Sequence, residues 1–126
     1  MNTIHNRGVA AQIGRDNDRY SDGVEVPGTA RWLYASGTPG IKLDGTVPET
    51  IEEQADQAWK HILAILESAG MGIADVVKVN QYLIHAEDRS AHIQVRGRYL
   101  GEVCPAGELA LARRRTGASA LPRCGP

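Results

Sequence analysis

The sequence predicts an α+β domain in which two helices cover one face of a mostly antiparallel sheet. Three observations carry this reading. A long amphipathic run, Thr50 to Ala69, repeats its apolar residues at helical spacing. A strand-like segment, ADVVKVNQYLIH, follows it directly. A second, shorter helical run, EDRSAHIQVRGRYLGE, comes next.

In chain order, GVAAQI (Gly8 to Ile13) reads as a short first strand, and DNDRYSDGVEV begins as a loop and enters a strand. VPGTARWLYASG reads as a hairpin: Pro27-Gly28 suits a tight turn, and Arg31 to Tyr34 are strand-forming types. GTPGIKLDGTVP is turn chemistry throughout. Thr50-x-x-Glu53 then has the form of a capping box. Ile51, Ala55, Ala58, Trp59, Ile62, Leu63, Ile65, Leu66 and Ala69 make the helical stripe, and Gly70 supplies the stop. In the next strand Val77, Val79, Gln81 and Leu83 share one side. In the second helix Asp88 or Ser90 caps, Ala91, Val95, Tyr99 and Leu100 face inward, and Gly101 ends it. Gly97 costs that helix about 1 kcal/mol relative to alanine. Trp32 and Trp59 are expected in a core or an interface.

The chain has 126 residues, 42% apolar and 23% charged, the composition of one globular domain with a modest core. Its net charge of -1 excludes a polycation built for nucleic acid or anionic lipid. Two cysteines, Cys104 and Cys124, without a C-x-x-C pair, read as free intracellular thiols. No secretory leader and no run of 18 apolar residues is present, so a cytoplasmic protein without membrane spans is expected. His5, His61, His85 and His92 show no metal-binding spacing, and no metal site is expected. Gly37-x-x-Gly40 is neither a dinucleotide fingerprint nor a P-loop.

Residues 19–106 resemble the RidA/YjgF family of enamine/imine deaminases. The segments that carry the resemblance are RYSDGV, LYASGTPG, DGTVPETIEEQADQAWKHILAILESAGMGIADVVKVNQYL and RYLGEVCPA. The resemblance implies a chorismate-mutase-like α+β subunit assembling as a homotrimer with clefts between neighbours. It implies hydrolysis of reactive 2-enamine or 2-imine acids to 2-oxo acids and ammonia, with no metal or cofactor. It also implies an arginine, in a Pro-Ala-Arg motif, that grips the substrate carboxylate, and a glutamate in the last strand that orients water.

Residue by residue, Tyr20-Ser21 matches the family's tyrosine loop, although Asp18 and Arg19 replace Gly-Pro. Tyr20 is therefore the catalytic candidate. Ser36 and Gly37 match the motif after the second strand and are substrate-binding candidates, with Cys104 and Ala106 as weaker ones. Pro105-Ala106 begins the Pro-Ala-Arg motif, but Gly107 stands where arginine is expected, and only Glu108 remains as an acid in the tail. The RidA-like domain is drawn over residues 1–106, with 107–126 an atypical Arg/Ala/Gly/Pro-rich tail whose final strand is lost or altered.

That tail carries four arginines, including Arg113 to Arg115, against one acid, and has no Val, Ile or aromatic residue. Such a composition speaks against a strand. A solvated extension and a change of reading frame near Ala106 remain alternatives, the second favoured because GC-rich codons read out of register yield these residues. For function, imine deamination leads, with competence in question at Gly107. A non-catalytic trimeric metabolite-binding homologue is the alternative. An endoribonuclease or translation inhibitor, a name attached to the family, ranks last, because no basic-aromatic surface for RNA is present.

Overall fold

A computed structural model describes residues 2–5 and 21–111. In order these form β1 (Thr3–His5), β2 (Gly23–Glu25), α1 (Ile51–Ser68), a 3-10 turn (Ile73–Asp75), β3 (Lys78–Leu83), a second 3-10 turn (Ala86–Asp88), α2 (Arg89–Leu100) and β4 (Ala106–Leu111). β1 pairs antiparallel with β2, and β3 pairs parallel with β4. A parallel pair needs a crossover connection, and α2 is that crossover. The fold is mixed α and β, as expected. Among the described residues, however, the longer of the two pairings is parallel, not antiparallel.

α1 begins where its cap chemistry demands. The Thr50 hydroxyl accepts a hydrogen bond from the Glu53 amide at 3.2 Å, satisfying a donor with no partner inside the helix. It ends in a left-handed Gly70 (φ 69°), with the Gly70 amide bonded to Glu67 and the Met71 amide to Leu66. Its buried residues Ala55, Trp59 and Leu66 recur at helical spacing. Ala55 and Trp59 meet α2, whose Val95 and Leu100 are buried, and Ile62, Ile73, Val79, Tyr99 and Val103 close around them. The Trp59 and Tyr99 rings stack with centroids 5.9 Å apart. The Tyr99 hydroxyl donates to the Asp56 carboxylate, and Lys60 lies 3.0 Å from the same group. The hydrogen bond from Tyr99 and the Lys60 charge hold Asp56 below the usual carboxylate range. Burial and the Asp56 bond push the Tyr99 hydroxyl up to about 12, so it stays a donor.

β3 alternates as its sequence requires: Gln81 and Leu83 are buried, Lys78, Asn80 and Tyr82 exposed. Gln81 and Arg96 form a polar island in this layer. The Arg96 guanidinium donates to Gln81 at 3.4 Å, and the His92 ring lies 3.5 Å from the Gln81 amide.

Two expectations need correction. Pro27 to Ala30 does form a turn, closed by the Ala30 amide on the Pro27 carbonyl at 3.0 Å, but Arg31 to Tyr34 are not a strand. Trp32 and Tyr34 stack on each other and are 55% and 86% exposed. Strand-forming residue types need a ladder partner, and here they have none among the described residues. The last strand is not lost at residue 106: β4 runs from Ala106 to Leu111, in register with β3 from Lys78 to Leu83. The ladder uses only main-chain groups, so pairing overrides the weak strand propensity of Ala, Gly and Leu. The strand predicted over Gly8 to Ile13 lies outside the described residues, as do Arg113 to Arg115 and Cys124.

Two outcomes follow from this core. Trp59→Ala lowers stability by about 3–5 kcal/mol in urea denaturation, because a ring 2% exposed leaves a cavity at the helix contact. Burial holds the His92 imidazole below its ordinary 6.5, and the Arg96 cation acts in the same direction against Asp88. The folded state thus prefers neutral His92. Its contribution is complete above about 6.5 and is lost as pH falls from there through the lower folded value. Urea midpoints measured from pH 8 to pH 5 fall for the wild type and fall less for His92→Gln.

Candidate functional site

Two places in the fold bear on function. The first is an open cavity of about 540 Å³ between α1 and the loop that precedes it. The loop contributes Ser36, Gly37, Thr38, Pro39 and Ile41, and α1 contributes His61, Ala64, Ile65 and Ser68. The helix residues lie three and four apart, on the face opposite the buried Trp59 stripe. The lining is chiefly apolar, with three hydroxyls and one imidazole as its polar groups. The Thr38 hydroxyl donates to the Ser36 carbonyl at 2.9 Å, which closes the loop locally. The Ser68 hydroxyl donates to Ile65 within the helix at 2.6 Å. Such a surface suits a short carbon chain with a polar head.

The second place is the approach to β4. Ser21, 2% exposed, donates its hydroxyl to the Cys104 carbonyl and its amide to the Pro105 carbonyl at 3.2 Å. The Ala106 amide donates to the Val77 carbonyl at 3.0 Å and starts the β3–β4 ladder. The segment ahead of β2 is therefore clamped onto Cys104-Pro105, with Pro105 fully buried. Tyr20 itself lies outside the described residues; its neighbour Ser21 is the anchor. The Cys104 thiol is half-buried and faces the Glu102 carbonyl at 3.5 Å.

The five candidates thus divide. Ser36 and Gly37 line the cavity, whereas Cys104 and Ala106 are not among its lining residues. His61 was missed because its signal, a polar residue on the outer face of an amphipathic helix, looks like any solvated position.

Gly107 has a structural reason to be glycine. Its φ is 154°, and a Cβ there would lie 1.8 Å from the Val79 carbonyl oxygen and 2.7 Å from its carbon. No side chain fits at that contact while β3 and β4 keep this register. The arginine that the resemblance implies at this position is therefore absent from the sequence and has no room in the backbone.

The described residues hold no helix long and apolar enough to cross a membrane. The fold and the two places just described define a small α+β domain of the chorismate-mutase-like class. The family model described as Endoribonuclease L-PSP matches residues 14–121, beyond Ala106 and into the arginine-rich segment. A protein of Dermatophagoides farinae named 2-iminobutanoate/2-iminopropanoate deaminase is 30% identical over 106 residues, 82% of this chain and 76% of the relative. A RutC family protein of Pyrococcus abyssi is 43% identical over 94 residues, 69% of this chain and 68% of the relative. The crystal structure of RidA from the Antarctic bacterium Psychrobacter sp. PAMC 21119 matches with a TM-score of 0.58 and 33% identity, covering 82% of this chain and 78% of that one. The chain belongs to the RidA/YjgF family.

The geometry at Gly107 sets an expected outcome. Gly107→Ala lowers stability by more than about 1 kcal/mol in urea denaturation, since the backbone there is closed to a Cβ. Gly107→Arg is destabilised as well and gains no affinity for pyruvate. An alanine variant as stable as the wild type would overturn this account of the strand contact.

Proposed function

We propose that the chain is a RidA-like deaminase that hydrolyses reactive 2-imine and 2-enamine acids to 2-oxo acids and ammonia. The observation that carries the reading is the family match over residues 14–121 together with a relative named as such a deaminase. In this reading the protein is cytoplasmic and its partner is a small imine or 2-oxo acid.

Ser36 and Gly37 belong to one half of the site, and Tyr20, Cys104 and Ala106 to the other. A homotrimer with inter-subunit clefts unites the halves of neighbouring copies. The exposed apolar side chains Trp32, Tyr34, Tyr82 and Ile84 support that assembly, since a monomer gains nothing by exposing them to water. Two helices on one side of a sheet also leave its other side needing cover.

The chemistry balances without a cofactor. An enamine first takes a proton at its β-carbon and gives one up from its nitrogen, becoming the imine. Water oxygen then attacks the imine carbon, the C=N electron pair moves to nitrogen, and the water proton reaches that nitrogen by way of the Tyr20 hydroxyl. The hydroxyl proton of the resulting carbinolamine passes to its amino nitrogen, the C–N bond breaks with its pair so that ammonia leaves, and the oxygen lone pair closes the carbonyl of the 2-oxo acid. In this reading the loop at Ser36-Gly37 holds the carboxylate in place of a guanidinium. A neutral donor binds a carboxylate less strongly than an ionised one, so affinity is low.

A second reading, a trimeric metabolite-binding homologue without turnover, is favoured by the closed backbone at Gly107. Following 2-iminopropanoate generated in situ separates the two. The deaminase reading expects micromolar protein to accelerate its decay, with Tyr20→Phe slowing that step on the order of 100-fold. Pyruvate binding without acceleration establishes the second reading and sinks the first. Sedimentation analysis expects three chains per particle; a monomer that is fully active overturns the shared cleft.

A further inference from the structure

We propose that His61 is a positioning residue for the substrate-binding loop, holding Ser36 and Gly37 against α1 by donating its Nε2 proton to the Ile41 carbonyl. This rests on the reading of Ser36 and Gly37 as substrate-binding residues. The bond is 2.6 Å long and joins a half-buried ring to the loop main chain. A carbonyl oxygen can only accept, so Nε2 carries the proton of this bond. The Gln57 amide nitrogen lies 3.3 Å from the same Nε2. Two donors cannot bond each other, and Ile41, nearer and a pure acceptor, accepts from Nε2.

The reach follows from helix geometry. Side chains on a helix lean toward its N-terminus, so the His61 ring projects back over the turn of Gln57. The loop crosses α1 there in direct main-chain contact. A Cβ at Gly40 would lie 2.1 Å from the Gln54 carbonyl oxygen, so only glycine permits the approach. Gln54 in turn donates its side-chain amide to the Pro48 carbonyl at 2.8 Å, tying the far end of the same loop.

At the start of the segment the Arg31 guanidinium donates to the Ala69 carbonyl at the end of α1 at 3.3 Å, so the His61 and Gly40 ties act on its far part. Residues 31–39 belong to no strand. The Thr38 bond to Ser36 shapes the loop internally but does not place it on the helix. His61 does both: it lines the cavity and it fastens the residue at the cavity's edge. Loss of the bond therefore frees the Ser36–Ile41 segment and costs affinity, while the bond-making steps at the imine carbon are left alone.

The test compares His61→Leu, which removes the donor, with His61→Gln, whose amide nitrogen keeps one at similar reach. Three quantities are read: amide exchange at Lys42, pyruvate affinity by NMR titration, and KM against kcat for 2-iminopropanoate. The Lys42 amide is protected by the Thr46 carbonyl at 2.9 Å and sits next to Ile41, so its exchange reports the fastening without any ligand. The leucine variant is expected to exchange Lys42 about fivefold faster, and to weaken pyruvate binding and raise KM about fivefold, with kcat within twofold. Glutamine restores all three. His61→Asn, too short to reach Ile41, replaces leucine if that variant does not fold. Unchanged Lys42 exchange on loss of the donor, or a glutamine variant that behaves like leucine, overturns the proposal. A wild type that neither binds pyruvate nor accelerates imine decay sinks the deaminase reading instead, and the exchange data still decide the role of His61.

Discussion

The packing of Trp59 against Tyr99 is the interaction on which the rest of the structure depends. It joins the two helices, and each helix end then dictates where a functional segment goes. α1 fixed in this way turns its opposite face, with His61 and Ile65, toward the Ser36–Ile41 loop. α2 fixed in this way delivers the chain through Gly101 to Cys104-Pro105 and into β4 beside β3. The Tyr99 hydroxyl, kept protonated and bonded to Asp56, locks the same contact with a polar tie. An aromatic contact of this kind combines a large buried area with a preferred geometry, so it orients the helices as well as joining them.

Two glycines show how closely main chain approaches main chain around the candidate site. Gly40 lets the loop touch α1, and Gly107 lets β4 touch β3. In both places a side chain would have to occupy a neighbouring carbonyl. Gly107 changes how the missing arginine is understood. Arginine is not simply replaced there, since the strand pair has closed over the space its stem would need. A guanidinium at this one position therefore takes no part in whatever the described strand pair holds.

The helices were legible in the sequence because their signals are local. Thr50 at the cap, the spacing of Ala55, Trp59 and Leu66, and the stops at Gly70 and Gly101 each act within one or two turns. The alternation of Val79, Gln81 and Leu83 was legible for the same reason. The segment Arg31 to Tyr34 was not, because strand-forming side chains become a strand only when a partner supplies a ladder. β4 was misjudged in the opposite direction. Its residues are poor strand formers, and a partner already in place makes them one.

For the candidate site, the sequence alone determined which residue types were present: the Tyr20-Ser21 and Ser36-Gly37 motifs, and a glycine at 107 where a cation was expected. Only the tertiary structure decided how they group. It set Ser36 and Gly37 against α1, clamped Ser21 onto Cys104 and Pro105, and gave His61 a carbonyl to hold. The physical reason is range. Caps, stops and periodicity are settled among residues a few positions apart, whereas the Ser21–Cys104 bond and the contact of Gly107 with Val79 join parts of the chain far apart in sequence.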